Sequence, residues 1–166
     1  MVIKYDREKA VEYAKKWAYD RNPNYYNFNE LGGDCTNFIS QCLFNGCSVM
    51  NYTNVYGWYY NNLNDRSPAW TGVNELRNFL INNNGENGIV GNGNGPFARI
   101  SNLTNAQIGD VIQLYNGYEY YHSLMIVGFN SLEPLIASHT ENRFNYPLYN
   151  YNFNDLVVLH VEGARI

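Results

Sequence analysis

The hydrophobic periodicity of the chain changes once, at an Asn/Gly-rich stretch over residues 82–95. Before this stretch, apolar residues recur every three to four positions, as on one face of a helix. After it, they alternate with polar residues or form short runs bounded by turn residues, as in β-strands. Helices first and strands second are typical of an α+β domain. We therefore predict a single domain over residues 1–166, with N-terminal helices packed on a C-terminal antiparallel β-sheet.

The pattern also predicts the individual elements. Asp6 is a suitable N-cap for the first helix, and Asn116-Gly117 predicts a two-residue hairpin turn. Residues 47–70 are irregular in pattern and rich in aromatic side chains. Residues 82–95 are expected to form a surface loop, because their glycines do not have the spacing of a phosphate-binding motif. The predicted helices cover 6–20, 34 or 35 to 46, and 73–82, and the predicted strands cover 111–115, 118–129, 134–140 and 156–161.

Composition excludes several functional classes. The net charge is −4 and the eleven basic residues are scattered, so no basic stripe is present to bind nucleic acid. No apolar run is long enough to span a membrane. The first six residues do not resemble a signal peptide, so we expect a cytoplasmic protein, or a secreted or envelope one if the chain was excised from a longer protein. We also expect a monomer.

Three cysteines are too few for a disulfide framework, and none forms a CxxC zinc motif. The sequence therefore predicts neither a metal nor another cofactor. Cys42 and Cys47 are interpreted as small buried groups, with a disulfide between them left open. Cys35 differs, because it follows Gly32-Gly33-Asp34 at the start of a predicted helix.

A thiol at a helix N-terminus lies at the positive end of the helix dipole, which favours the nucleophilic thiolate. The paired glycines allow a sharp turn there, and Asp34 is suited to cap the helix. The same helix end also presents backbone N–H groups that are suited to stabilise an oxyanion. The sequence therefore makes Cys35 a candidate nucleophile, with a buried structural cysteine as the alternative.

A nucleophilic cysteine needs a base, and the chain has three histidines. His122 lies on a predicted strand on one face with Leu124 and Ile126. His139 lies on the following strand in a similar setting, so one ring could orient the other. His160, near the C-terminal end, is interpreted as structural.

Residues 33–43, GDCTNFISQCL, resemble the GDCtNFvSQ signature of a bacterial family described as a putative amidase domain. That family belongs to the papain-like superfamily and is related to NlpC-type and CHAP cell-wall hydrolases. The resemblance runs from about Tyr5 to His160. It departs at Ile108, where proline is usual in a turn. Further similar segments lie at 10–18, 70–80, 108–112, 122–127 and 136–143.

The resemblance implies a papain-like fold and a cysteine-dependent amidase or peptidase acting on a bacterial cell-wall peptide. Cys35 would be the nucleophile, His122 the general base and His139 the third catalytic residue. Alternatives for the third role are Glu141, Asn142 and Asp34. Two other functions stay open, namely acyl transfer to an amine by the same Cys/His pair, and an inactive module that binds a peptide or glycan.

Three residues are candidates for substrate contact. Asp34 is adjacent to the candidate nucleophile, and Trp58 and Trp70, with neighbouring tyrosines, are suited to wall a groove. Packing in the core is the alternative for the two tryptophans. The turn residues Gly109 and Asp110 are interpreted as leading into the central strand.

Overall fold

The computed structural model describes residues 1–83 and 93–166, and three of the four α-helices in these ranges correspond to the predicted ones. Asp6 caps the first helix, since its side chain accepts a hydrogen bond of 3.1 Å from the backbone N–H of Lys9. The first helix ends three residues earlier than predicted. The helices are α1 (Arg7–Trp17), α2 (Cys35–Cys47), α3 (Pro68–Thr71) and α4 (Val73–Asn82).

The described residues form nine strands, of which the sequence predicted four. The other five are short or lie outside the alternating pattern. The strands are β1 (Val2–Ile3), β2 (Tyr60–Asn62), β3 (Asp65–Arg66), β4 (Gly95–Ser101), β5 (Val111–Tyr115), β6 (Tyr120–Asn130), β7 (Glu133–Ser138), β8 (Arg143–Pro147) and β9 (Asp155–Arg165).

Within the described part of the chain, seven strands form one curled antiparallel sheet, and β2 pairs with β3 separately. The long strand β9 has β4 along one side, while β5 and β1 share its other side. From β5 the sheet continues through β6 and β7 to β8. The protein is thus an α+β structure, as predicted, with an antiparallel sheet.

Alternating residues of the central strands pack into two separate clusters, one on each face of the sheet. Val111, Met125 and Ala137 face the helices and join the larger cluster. Ile112 and Leu124 point the other way, into a smaller cluster flanked by residues of two short 3-10 turns, Leu103–Asn105 and Leu148–Asn150.

Helix α2 lies at the centre of the larger cluster, with eleven of its thirteen residues buried. Its polar side chains are therefore paired with neighbours. The Thr36 hydroxyl contacts the Ser123 hydroxyl of β6 at 2.9 Å, and the Ser40 hydroxyl donates to the carbonyl of Trp70 at 2.8 Å. The first contact holds the start of α2 against β6, and the second holds α2 against α3.

Two local predictions differ from the structure. The β5–β6 connection is a four-residue loop at 116–119, not a two-residue turn, because the Asn116 side chain accepts from the N–H groups of Tyr118 and Glu119 at 2.9 Å each. The region at 47–70 contains β2, β3 and α3. Most of the loop predicted at 82–95 lies outside the described residues.

No helix in the described ranges combines the length and the apolar character needed to cross a bilayer.

Candidate active site

Cys35 is the first residue of α2, and a turn that requires glycine precedes it. Gly32 has φ +87° and Gly33 has φ +97°, a conformation that other L-residues rarely adopt. The chain therefore reverses immediately before Cys35, with no side chain on its two preceding turn residues to cover the cavity.

Cys35 and His122 line the same cavity, which has a volume of about 340 Å³. Both side chains lie almost fully below the surface, with 8% and 7% of the residue exposed. The structure thus brings the predicted nucleophile and the predicted base to one place. The lining consists of Gly32, Gly33, Cys35, Tyr121, His122, Thr140, Glu141, Tyr151 and Asn152.

The His122 ring is held by aromatic neighbours. Its centroid lies 6.0 Å from that of Tyr121 and 5.7 Å from that of Tyr151. Burial is the main cause that lowers its pKa to about 4; the Glu141 carboxylate raises it and the Arg143 guanidinium lowers it. The ring is therefore neutral at pH 7, and within the described residues no hydrogen bond joins it to the Cys35 sulfur.

The Cys35 thiol is also neutral at pH 7, contrary to the expectation of a helix-start thiolate. Burial raises its pKa above the usual value of 9.0. Hydrogen bonds from the backbone N–H of Ser123, the Thr36 hydroxyl and the Thr36 N–H act in the opposite direction, and the charge of Asp34 raises the pKa further. The thiol's removal from water outweighs the donors that surround it.

Asp34 is completely buried and does not line the cavity, so it has no surface for the substrate contact that the sequence predicted. Its side chain does not cap α2 either. It accepts hydrogen bonds from the Phe28 N–H at 2.8 Å and the Asn37 amide at 2.9 Å, and it pairs with Arg21 at 3.4 Å.

His139 does not contact His122, so the expected orienting bond between the two rings is not present. Its Nδ1 lies 2.5 Å from Asp34 Oδ2, and its Nε2 lies 2.7 Å from the Trp17 carbonyl oxygen. The strand register explains the difference. Met125 is paired with Ala137, and continuing that register places Ser123, not His122, opposite His139.

Two groups of interacting side chains each contain one aspartate, one histidine and one arginine. The Asp34 network comprises Asp34, His139 and Arg21. The Asp110 network comprises Asp110, His160 and Arg7, in which Asp110 lies 2.7 Å from Arg7 Nη1 and 3.0 Å from His160 Nδ1. Asp110 is also fully buried and accepts from the N–H groups of Gln107 and Val161. The turn that the sequence assigned to this position is therefore anchored by its carboxylate.

Trp58 and Trp70 lie in the core and not at the cavity, and both are fully buried. Their ring centroids are 4.8 Å apart. The Trp58 indole donates to the Ser40 hydroxyl at 3.0 Å, and the Trp70 indole donates to Asn37 at 2.9 Å. The two side chains pack against α2 within the core, which is the core-packing alternative that the sequence left open.

Four of the lining residues were not predicted from the sequence, namely Tyr121, Thr140, Tyr151 and Asn152. Tyr121 is marked only by its position beside His122, while Tyr151 and Asn152 come from a segment with no local signal. Glu141, a candidate for the third role, lines the cavity and pairs with Arg143 at 2.6 Å.

Asn142, the other alternative for that role, instead accepts from Arg21 at 3.0 Å. The described residues contain no group of three or more metal-binding side chains, and all three cysteines are free thiols.

The chain is 38% identical over 81 residues to the uncharacterized protein YhbB of Bacillus subtilis, covering 48% of this chain and 25% of YhbB. It is 23% identical over 157 residues to the uncharacterized protein YjcM of the same organism, covering 86% of this chain and 32% of YjcM. The chain thus spans about a quarter to a third of the relatives' length, and no solved structure matches it.

A family model described as a putative amidase domain matches residues 4–160. That range includes every residue of the cavity lining. The family's description suggests an amide hydrolase. The protein, with its cysteine and histidine on one cavity, is therefore a member of the putative amidase domain family.

Proposed function

We propose that this protein is a papain-like cysteine amidase or peptidase that cleaves an amide bond in a bacterial cell-wall peptide. The observation that carries the proposal is the joint presence of Cys35 and His122 on one cavity at the start of a buried helix. A thiol and an imidazole in one cleft are the minimum needed for nucleophilic acyl transfer.

The mechanism starts from the neutral pair. As the Cys35 sulfur attacks the amide carbonyl carbon, His122 accepts the thiol proton, and it then donates that proton to the departing amine. The acyl group remains on sulfur as a thioester. A water molecule deprotonated by His122 attacks this thioester, releases the carboxylic acid and restores the thiol.

The first turn of α2 is suited to stabilise the oxyanion formed in both steps. The Asp34 side chain makes no capping hydrogen bond to the backbone N–H groups of this turn. Backbone N–H groups at a helix start stabilise developing negative charge at no reorganisation cost. The same turn therefore carries the nucleophile and supplies the electrostatic stabilisation.

The cavity lining supports a peptide as substrate. Tyr121 and Tyr151 provide flat apolar surface, while Thr140 and Asn152 provide hydrogen-bonding groups for amides. A cell-wall peptide is proposed because the sequence resembles families of cell-wall hydrolases. The cavity volume of about 340 Å³ lies in the usual range for sites that bind small ligands.

The test compares Cys35→Ala with Cys42→Ala on peptidoglycan fragments, with products identified by mass spectrometry. Cys35→Ala should abolish cleavage and leave the fold intact, because the side chain lies at the cavity and the end of its helix. Cys42→Ala removes the same atoms from the core, so it should cost about 1–2 kcal/mol of unfolding free energy and retain activity. Equal loss of activity in two folded variants would refute Cys35 as the nucleophile.

The same assay separates the alternatives. Products that incorporate an added amine would identify an acyltransferase. Binding of fragments without cleavage, together with no reaction between Cys35 and an electrophile at neutral pH, would identify an inactive binding module.

A further inference from the structure

Asp34 and His139 of the Asp34 network are both titratable and almost completely buried, and they take no part in the steps above. Both residues are adjacent in sequence to residues that line the cavity. Asp34 lies between Gly33 and Cys35, and His139 directly precedes Thr140. The network therefore lies behind the point where two walls of the cavity meet.

Asp34 joins four parts of the molecule at that point. Its backbone carbonyl accepts from the Phe38 N–H at 3.0 Å, within the first turn of α2. Its side chain accepts hydrogen bonds from the Phe28 N–H in the preceding loop and from His139 after β7, and it forms an ion pair with Arg21 beyond α1. A shift of this carboxylate would therefore move Cys35 directly.

The His139 ring fills the space between these elements. It stacks on Phe38, one turn along α2 from Cys35, with ring centroids 3.9 Å apart and planes at 13°. Its two nitrogens reach Asp34 and the end of α1 at Trp17. Thr140, the next residue, has φ +84°, so the backbone turns sharply from the His139 anchor into the cavity wall.

We infer that the hydrogen bond between His139 and Asp34 positions Cys35 within the cavity, so that His139 is a positioning residue for the nucleophile and not a partner of the base. The bond joins the wall that carries Cys35 to the wall that begins at Thr140. This inference rests on Cys35 being the nucleophile of the proposed function.

The network also affects the pKa of the Cys35 thiol through electrostatic interactions. The negative charge of Asp34 raises the pKa of the adjacent Cys35 thiol, and the His139 donor partly compensates that charge. Loss of His139 should therefore make the Cys35 thiolate rarer at neutral pH. Loss of the Asp34 charge should make it more abundant. A purely structural role for the pair would not produce these opposite directions.

The experiment uses His139→Ala, His139→Gln and Asp34→Asn, with His160→Ala as the matched control from the Asp110 network. Hydrolysis by each variant is measured below its melting temperature. The rate of Cys35 alkylation by iodoacetamide at pH 7 is followed in parallel by peptide mass mapping, which separates Cys35 from the two other cysteines.

We expect His139→Ala to lower kcat about 10- to 100-fold, the usual cost of losing a group that orients a reacting residue. The glutamine variant should recover part of that loss, because its amide can still donate to Asp34. His160→Ala should lower the melting temperature comparably but change kcat less than about twofold. Alkylation should slow about threefold in His139→Ala and accelerate in Asp34→Asn, because the alkylation rate follows the abundance of the Cys35 thiolate.

Equal losses of kcat in His139→Ala and His160→Ala would overturn the inference, as would alkylation rates that change in the same direction in the His139 and Asp34 variants. If His139→Ala does not fold, the His139→Gln and His160→Gln variants are compared in its place by the same criteria. Wild-type protein that is alkylated as expected but hydrolyses nothing would refute the proposed function alone, because the alkylation rates still test the positioning role.

Discussion

The Asp34 network and the Asp110 network contain the same three residue types but connect different structural elements. Both carboxylates are fully buried, and each is paired with one histidine and one arginine. The Asp110 network ties α1 to β9, since Arg7 also donates to the Val161 carbonyl. The Asp34 network ties α1 to the helix that carries Cys35. A buried Asp–His pair therefore gives no functional information until its neighbours are known.

Charge removal at the centre of each network should have the largest effect on stability. We expect Asp110→Asn to lower the free energy of unfolding by about 3–5 kcal/mol, because the amide would present N–H groups to donors that need an acceptor. Asp34→Asn should cost a similar amount. Urea denaturation measures both. Glu162→Gln is the control, since its pair with Arg99 is exposed and should matter by less than about 1 kcal/mol. A loss below that value at Asp110 would contradict the comparison.

His122 sharpens the comparison, because within the described residues it has no carboxylate hydrogen-bond partner, unlike His139 and His160. Its pKa is lowered from 6.5 to about 4, so between these pH values His122 is protonated in the unfolded chain but neutral in the folded protein. The associated stability is present above pH 6.5 and is lost as the pH falls towards 4. We expect His122 to account for about 2 kcal/mol of stability lost between pH 7 and pH 5.

The measurement is urea denaturation at both pH values for wild type and His122→Asn, which cannot titrate in this range. The variant should lose about 2 kcal/mol less than wild type over that interval. Identical pH dependence in the two proteins would show that the imidazole is not held neutral by burial.

The smallest expected difference between the two networks is in the free energy of unfolding lost when each arginine is replaced. Arg7 donates to the carbonyls of Ile108 and Val161 in addition to its carboxylate partner. Arg21 lies farther from its carboxylate, at 3.4 Å, and donates to Asn142 at the surface. We therefore expect Arg7→Met to cost about 2 kcal/mol and Arg21→Met about 1 kcal/mol, by thermal or urea unfolding. A larger cost at Arg21 than at Arg7 would contradict the order expected for the two arginines.

Much of the fold could be predicted from the sequence because it follows from local signals. The helical period fixed α4 at its observed bounds, and the side chain of Asp6 marked the start of α1. The strands with clear alternation were also predicted. Strand β4 and the second half of β9 were missed, since each contains a glycine and they gain their strand character by pairing with each other.

The candidate site was predictable only in part. The glycine turn before Cys35 is a local feature, and it indicated the helix start correctly. The partner of His139 depends on the β6–β7 register, where a shift of one residue exchanges Ser123 for His122. The burial of Trp58 and Trp70, and the raised pKa of Cys35, depend on how α2 packs. Such tertiary effects leave no pattern in a single sequence.

The hydrogen bonds between the first and last residues have a practical consequence for handling this domain. Met1 and Ile166 are joined by reciprocal bonds of 3.1 and 3.0 Å, so both ends leave the sheet at one point. Asn152, in the cavity lining, lies three residues before β9 begins, and the end of β9 is ten residues farther on, up to about 33 Å along an extended strand. An affinity tag, a fluorophore or a surface tether fixed at either terminus should therefore leave the cavity open, and a short linker joining the termini should permit circular permutation.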